Sequence, residues 1–231
     1  MDAQQRREAP RAERESGGDA EGSRSPAAAV VVPARDDAAR IALTVLAARA
    51  IPGIDLVVVV DDGSTDSTAR VAEESGAAVV RHRERLGRAA ALESGAAAVA
   101  ACDDMDARER PRPLLLLAAD LGPSAASAQA LLHPVVSGEA DMAVGLPGLP
   151  ATVDPSRRRA GPRESTERCL TRDAFEAARP LAPGRRLEPR LTEALRRSGF
   201  RVVEVPIDVV HRGPVRRGRR SLRPLRPLGD W

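Results

Sequence analysis

The chain has 231 residues, room for one α/β domain with a sizeable core plus tails. Its 36 basic residues are all arginine and face 33 acids, so the net charge is only +3, and neither that balance nor the 1% of aromatic residues points to nucleic-acid binding. Cys102 and Cys169 lack metal or disulfide spacing, and no apolar run is long enough to span a bilayer or to form a signal peptide. A metal-cysteine centre, a disulfide scaffold and an integral membrane protein are thereby disfavoured, and the chain reads as cytoplasmic with reduced thiols.

Residues 1–27 mix charge with Gly, Ser and Pro and carry almost no large apolar side chain, so they read as a disordered tail. From Ala28 short apolar runs alternate with helical stretches. Ala29 to Pro33 predicts a strand, Asp37 to Ala50 a helix with Ile41, Val45 and Leu46 on one side, and Leu56 to Val60 a second strand. Ser67 to Ser75 predicts a helix ended by Gly76, Ala78 to Arg81 a third strand, Arg88 to Ala101 an Ala-rich helix, and Leu114 to Leu117 a fourth strand. With Ser124 as N-cap, Ala125 to Val136 predicts a helix, and Asp141 to Gly145 a fifth strand. This βαβ spacing implies right-handed crossovers and a mostly parallel central sheet flanked by helices.

The second half reads differently. Residues 146–165 are rich in Pro, Gly and Arg and read as a loop, in which Arg157, Arg158, Arg159 and Arg163 form a charge run. Thr171 to Ala178 and Leu187 to Arg197 predict helices, the second stopped by Gly199. Phe200 to Val210 predicts a strand that Pro206 confines to an edge or bulge. Residues 213–231 place arginines among Gly and Pro and read as a flexible tail, with peripheral contact to anionic lipid as one use for them. Phe175, Phe200 and Trp231 are the only aromatic candidates for a core otherwise built from Ala, Val and Leu.

One segment carries most of the chemical information. Leu56 to Val60 is an apolar run that breaks at once into Asp61-Asp62-Gly63-Ser64-Thr65-Asp66. A buried parallel strand that ends this way delivers carboxylates and hydroxyls to the edge of an open sheet where ligands bind. The same residue types also serve as turns and helix caps, so the segment gains meaning from its neighbours.

Those neighbours resemble a family. VVVPARDDAARI, VVVVDDGSTDSTARVAEESGAAVV, RLGRAAALESGAAA and LLLLAADLGP are similar in order and spacing to family 2 glycosyltransferases. The C-terminal PLAPGRRLEPRLTEALRRSGFRVVEVPIDVVHR resembles, more narrowly, glucosyl-3-phosphoglycerate synthases and their relatives. The resemblance implies a Rossmann-like GT-A nucleotide-sugar transferase fold over residues 28–212 and transfer of a sugar from a nucleotide-sugar, a UDP-sugar, to an acceptor that the residues do not specify. It places Pro33, Ala34, Arg35, Asp37, Asp61 and Asp62 around the nucleoside. Arg88, in Gly87-Arg88-Ala89, falls where the family carries a lysine near the donor phosphates.

The resemblance further implies a divalent metal, Mn²⁺ or Mg²⁺, on Asp120 and His211, with a histidine ligand favouring Mn²⁺. Here the family pattern Asp-x-Asp reads Ala118-Ala119-Asp120, one carboxylate short. Glu188 matches a glutamate near the reacting sugar, which makes Asp120, Arg88 and Glu188 the catalytic set. His82 and His133 have no such match and receive no role. The missing carboxylate and the short stretch before Thr171 motivate an alternative, a catalytically impaired nucleotide-binding or interaction module. A nicotinamide-dependent oxidoreductase is disfavoured, because no Gly-x-Gly-x-x-Gly follows the first strand.

Overall fold

The computed structural model describes residues 27–147, 165–184 and 186–212. The expected tails, the arginine run at 157–163 and Trp231 lie outside the described residues, apart from Ala27.

Seven strands form one sheet in the order β3-β2-β1-β4-β6-β5-β7. They are β1 (Ala28–Ala34), β2 (Ile54–Asp61), β3 (Ala78–Arg81), β4 (Leu114–Leu116), β5 (Met142–Pro147), β6 (Arg168–Leu170) and β7 (Val202–Ile207). β1 pairs in parallel with β2 and β4, β2 with β3, and β5 with β7. β6 runs antiparallel between β4 and β5. The sheet is thus mostly parallel, as the βαβ spacing requires.

Alternation along each strand sorts the core into two layers, because successive side chains point to opposite faces. Val30, Val32, Val57 and Val59 face α1 (Ile41–Arg49), α2 (Thr68–Glu74), the 3-10 segment Gly122–Leu131 and α4 (Leu132–Val136). Val31, Val58, Val60, Leu114 and Leu116 face α3 (Arg88–Met105), α5 (Arg172–Ala177) and α6 (Leu187–Arg197). Each fully buried Val or Leu contributes about 1.5–3 kcal/mol. α3 lies especially close: a Cβ on Gly95 would meet Val31 Cγ1 at 2.3 Å and Val60 Cγ2 at 3.1 Å, so only glycine permits this helix–sheet separation.

Several elements depart from expectation. The first helix begins at Ile41 instead of Asp37, because the Asp37 carbonyl accepts from the amides of both Arg40 and Ile41 and closes a turn first. Leu46, expected on the buried side, is 51% exposed, and Thr44 and Ala48 join Ile41 and Val45 inside. The helix expected over Ala125 to Val136 is a 3-10 segment followed by α4, and Ser124 sits within it, its hydroxyl donating to the Leu121 carbonyl at 2.8 Å instead of capping. Pro134 has no amide to donate back to residue 130, which prevents one continuous α-helix through this stretch. β6, only three residues long, was not expected at all. Thr171 caps α5, accepting from the Ala174 amide at 3.2 Å. β7 with Pro206 occupies the sheet edge, where a missing amide costs no ladder bond.

The order 3-2-1-4 places the reversal of winding between β1 and β4, and α1 and α3 accordingly cover opposite faces. A crevice opens beyond the carboxyl ends of the strands at such a switch point. The pairings of β5, β6 and β7 bring three further chain segments to that same edge: the end of β5, the residues entering β6, and the stretch following β7.

Candidate active site

The loops leaving β1 and β2 are stitched together. Asp36 adopts a left-handed φ of 51°, and its amide donates to Ser64 Oγ at 3.0 Å. Its carboxylate accepts from the Thr65 amide at 2.8 Å and the Thr65 hydroxyl at 3.0 Å, and the Thr65 amide is the main reason that its pKa falls below the usual carboxylate value. The Asp37 amide donates to Thr68 Oγ1 at 2.8 Å, and its carboxylate pairs with Arg40. Burial pushes Asp37 upward in pKa, Arg40 opposes it, and the nearby Asp120 adds to the rise. Asp37 and Asp120, 83 positions apart in sequence, thus share one electrostatic environment. Pro33 and Ala34 end β1 beside Val60 and Asp61, and the exposed Arg35 follows them.

Asp61 and Asp62 take different tasks. Asp61 is buried and accepts from the Ser64 amide at 3.0 Å, closing the turn. Asp62 accepts from the amides of Leu86 at 2.7 Å and Gly87 at 2.9 Å, and from His82 Nδ1 at 3.0 Å. Burial alone would raise its pKa, but these donors outweigh it and hold the carboxyl below its ordinary value. His82, expected to have no role, therefore has two partners, since its Nε2 lies 2.9 Å from Ser94 Oγ on α3.

Asp62 thereby fixes Gly87, whose φ of 94° turns the chain into α3. The next residue, Arg88, pairs through Nε with Glu188 Oε1 at 2.6 Å. Its Nη2 is buried and has no hydrogen-bond partner among the described residues. Glu188 lies in the first turn of α6, and its carbonyl accepts from the fully buried Arg168 at 2.8 Å. Arg168 also donates to the Ser165 carbonyl at 3.0 Å.

The turn after β4 is held by Thr44, whose hydroxyl donates to the Ala119 carbonyl and accepts from the Gly122 amide, both at 2.8 Å. It presents Asp120, whose Oδ1 lies 3.0 Å from His211 Nδ1, while the Asp120 carbonyl accepts from the Arg212 amide at 3.3 Å. On the other side of the same ring, Nε2 lies 3.6 Å from Glu167 Oε2. Glu167 has no solvent exposure and accepts from the Ser165 and Thr166 hydroxyls and from the Ala118 amide at 3.3 Å. Burial pushes its pKa up, yet His211 and Thr166 bring it below the ordinary value. His211 is pushed up to about 10, by Asp120 first and then Glu167, against an opposing effect of burial.

These contacts form one continuous chain across the strand ends, from Asp62 through the Gly87-Arg88 turn, Glu188, Arg168, Ser165 and Glu167 to His211 and Asp120. Arg88, Asp120, Glu188 and His211 were singled out in the sequence, whereas Glu167, Arg168 and His82 were missed. Among the described residues no three His, Cys, Asp or Glu side chains form a ready-made metal cluster.

Comparison with known proteins bears on this edge. The sequence model of glycosyl transferase family 2 matches residues 29–170. No curated protein matches the chain significantly. Glucosyl-3-phosphoglycerate synthase from Mycobacterium tuberculosis in complex with phosphoglyceric acid superposes with a TM-score of 0.64 at 22% identity, covering 82% of this chain and 73% of that one. The same protein with Mn²⁺, UDP and glucosyl-3-phosphoglycerate gives 0.64 at 23% identity over 82% and 73% of the two chains. With Mg²⁺ and UDP it gives 0.63 at 23%, again over 82% and 73%. At these identities the likeness concerns the GT-A fold.

Proposed function

The chain belongs to glycosyl transferase family 2, and we propose that it moves a sugar from a UDP-sugar to an acceptor, with a divalent cation, Mn²⁺ or Mg²⁺, as cofactor. The observation that carries this reading is the gathering of Asp37, Arg88, Asp120, Glu188 and His211, from five distant parts of the sequence, along the edge where an open sheet takes its ligand. Structural neighbours of similar fold contain UDP with Mn²⁺ or Mg²⁺, which supports the choice of donor and cation.

In this reading Asp37 and Asp61 accept hydrogen bonds from the nucleoside, with Pro33, Ala34 and Arg35 forming the adjoining wall. Asp62 acts at one remove by fixing the loop that carries Arg88. Glu188 holds Arg88 through Nε, and the partly exposed guanidinium offers a charge-assisted hydrogen bond to the donor diphosphate. Glu188 lies beside Arg88 at the end where the sugar is attached and orients the reacting groups.

The donor set fits a cation. Octahedral ions of this class hold oxygen ligands at about 2.0–2.1 Å, so adjacent ligands stand about 3.0 Å apart. Asp120 Oδ1 and His211 Nδ1 have that separation. A cation there supplies Lewis-acid stabilisation of charge developing on the departing diphosphate. Its binding requires the ring to surrender the proton that the neighbouring carboxylates otherwise favour.

Calorimetry with UDP and with GDP, each in the presence of Mn²⁺, tests the donor: binding of UDP is expected, and no heat from either at millimolar concentration refutes the reading. Ala118, where the family pattern carries a carboxylate, favours a second reading as a nucleotide-binding module without turnover. Donor hydrolysis that disappears in Asp120→Ala eliminates that second reading.

A further inference from the structure

His211 stands between two carboxylates, with Asp120 at Nδ1 and Glu167 at Nε2. The two nitrogens point to opposite sides of an imidazole ring, so one cation reaches only one of them. The other must then carry the ring proton and donate it. We infer that Glu167 is the positioning residue of this site: its buried carboxylate, 3.6 Å from Nε2 of His211, favours the ring form that keeps its proton on Nε2 and leaves Nδ1 as the nitrogen that shares a divalent cation with Asp120. This rests on the metal reading above and deepens it.

Exposure and bonding decide between the two carboxylates. Glu167 is wholly enclosed, and its oxygens are already engaged by the Ser165 and Thr166 hydroxyls and the Ala118 amide. Turning toward an incoming cation would forfeit those bonds within a space that admits no water to replace them. Asp120 keeps 20% of its side chain exposed, so it can meet an incoming cation without losing a closed set of buried bonds. One carboxylate is therefore built to hold the ring and the other to meet the ligand.

The backbone around Glu167 is equally fixed. Its carbonyl accepts from the Gly145 amide at 3.0 Å, and the Gly145 carbonyl accepts from the Ser165 amide at 2.8 Å, which ties the entry of β6 to β5. A Cβ on Gly145 would stand 3.2 Å from the Glu167 carbonyl oxygen and 2.3 Å from Ile207 Cδ1, so the close approach depends on glycine. The carboxylate thus reaches the ring from the residue just before β6, a strand held on both sides. Ligating histidines commonly donate their second N–H to such a carboxylate, and losing it typically weakens metal binding about 10- to 100-fold.

The test uses the full chain. Mn²⁺ titration followed by paramagnetic resonance is expected to give Glu167→Gln a Kd about 10- to 100-fold above wild type. Nitrogen-15 spectra of histidine-labelled wild type with diamagnetic Cd²⁺ are expected to place the metal on Nδ1 of His211 and the proton on Nε2, a pattern that a purely structural role for Glu167 would leave unspecified. Equal Mn²⁺ affinity in the two proteins, or Cd²⁺ on Nε2 in wild type, overturns the inference while the metal reading survives. Absence of Mn²⁺ binding by wild type overturns both. If Glu167→Gln fails to fold, the ring assignment in wild type decides alone.

Discussion

The two ends of the same sheet hold arginines in opposite conditions, one buried and one partly exposed. At the end where β2 and β4 begin, Arg112 is 5% exposed, and all three of its guanidinium nitrogens are matched. Nε and Nη2 reach Asp55, Nη1 reaches Asp103, Nη2 also reaches Asp106, and the Arg112 amide donates to Asp103 at 3.1 Å. At the end where the strands finish, Arg88 has one matched nitrogen and a buried Nη2 with no partner among the described residues. A satisfied buried charge ties elements together, whereas a partly exposed guanidinium paired through one nitrogen still has donors to offer a ligand. α3 carries both conditions, with Arg88 at its first residue and Asp103 near its last.

That contrast is most sharply tested by exchanging what is measured at each end. Arg112→Ala removes the buried partner of Asp55 and Asp103, leaving them only the more exposed Arg108, and is expected to cost about 3–5 kcal/mol of unfolding free energy in urea, with UDP affinity of the folded protein unchanged. A large loss of UDP affinity at constant stability would erase the distinction between the two ends. Asp120→Ala is expected to behave inversely: donor hydrolysis falls about 100- to 1000-fold, the effect of removing one preorganised electrostatic partner, while the urea midpoint stays near wild type. Arg88→Ala should weaken UDP binding by about 1.5–3 kcal/mol in calorimetry, the worth of a hydrogen bond to a charged group, and Arg88→Lys should restore only part of it because the fork geometry is gone. Full recovery with lysine would show that charge alone matters at this position.

The sequence announced the half of the sheet that obeys a period. β1, β2 and β3 are largely apolar runs of four to eight residues with helical stretches between them, a pattern that local hydrophobicity and spacing reveal. β6 escaped notice because three residues, Arg168-Cys169-Leu170, carry no period, and their strand exists only because β4 and β5 flank them. The site divides in the same way. Asp120 and His211 were legible from matching motifs, and the structure sets them 3.0 Å apart. Glu167 carries no motif of its own; its place beside Ala118 and His211 depends on strand pairing that local sequence does not encode. His82 looked idle because its partners Asp62 and Ser94 lie 20 and 12 positions away. Leu46 misled through helical spacing, since α1 buries Thr44 and Ala48 beside Ile41 and Val45 instead.

The smallest expected effect bears on how the active edge is held in place. Asp62 is buried, which raises its pKa, but His82 and the Leu86 and Gly87 amides overcome that and bring it below the ordinary value of 3.8. A carboxylate whose pKa is depressed on folding adds stability that is fully present above its unfolded value and is lost as pH falls through its folded value. The gap in unfolding free energy between wild type and Asp62→Asn should therefore be constant from neutral pH down to about 3.8 and close below it. Urea titrations at stepped pH measure the gap directly. Because the bonds being lost pin the loop before Arg88, UDP affinity should fall over the same acid interval in wild type and be weakened at every pH in Asp62→Asn. A gap that instead widened on acidification would mean that the carboxyl is held above its ordinary value, and Asp62 would then be a strained group at the edge instead of the anchor of the loop before Arg88.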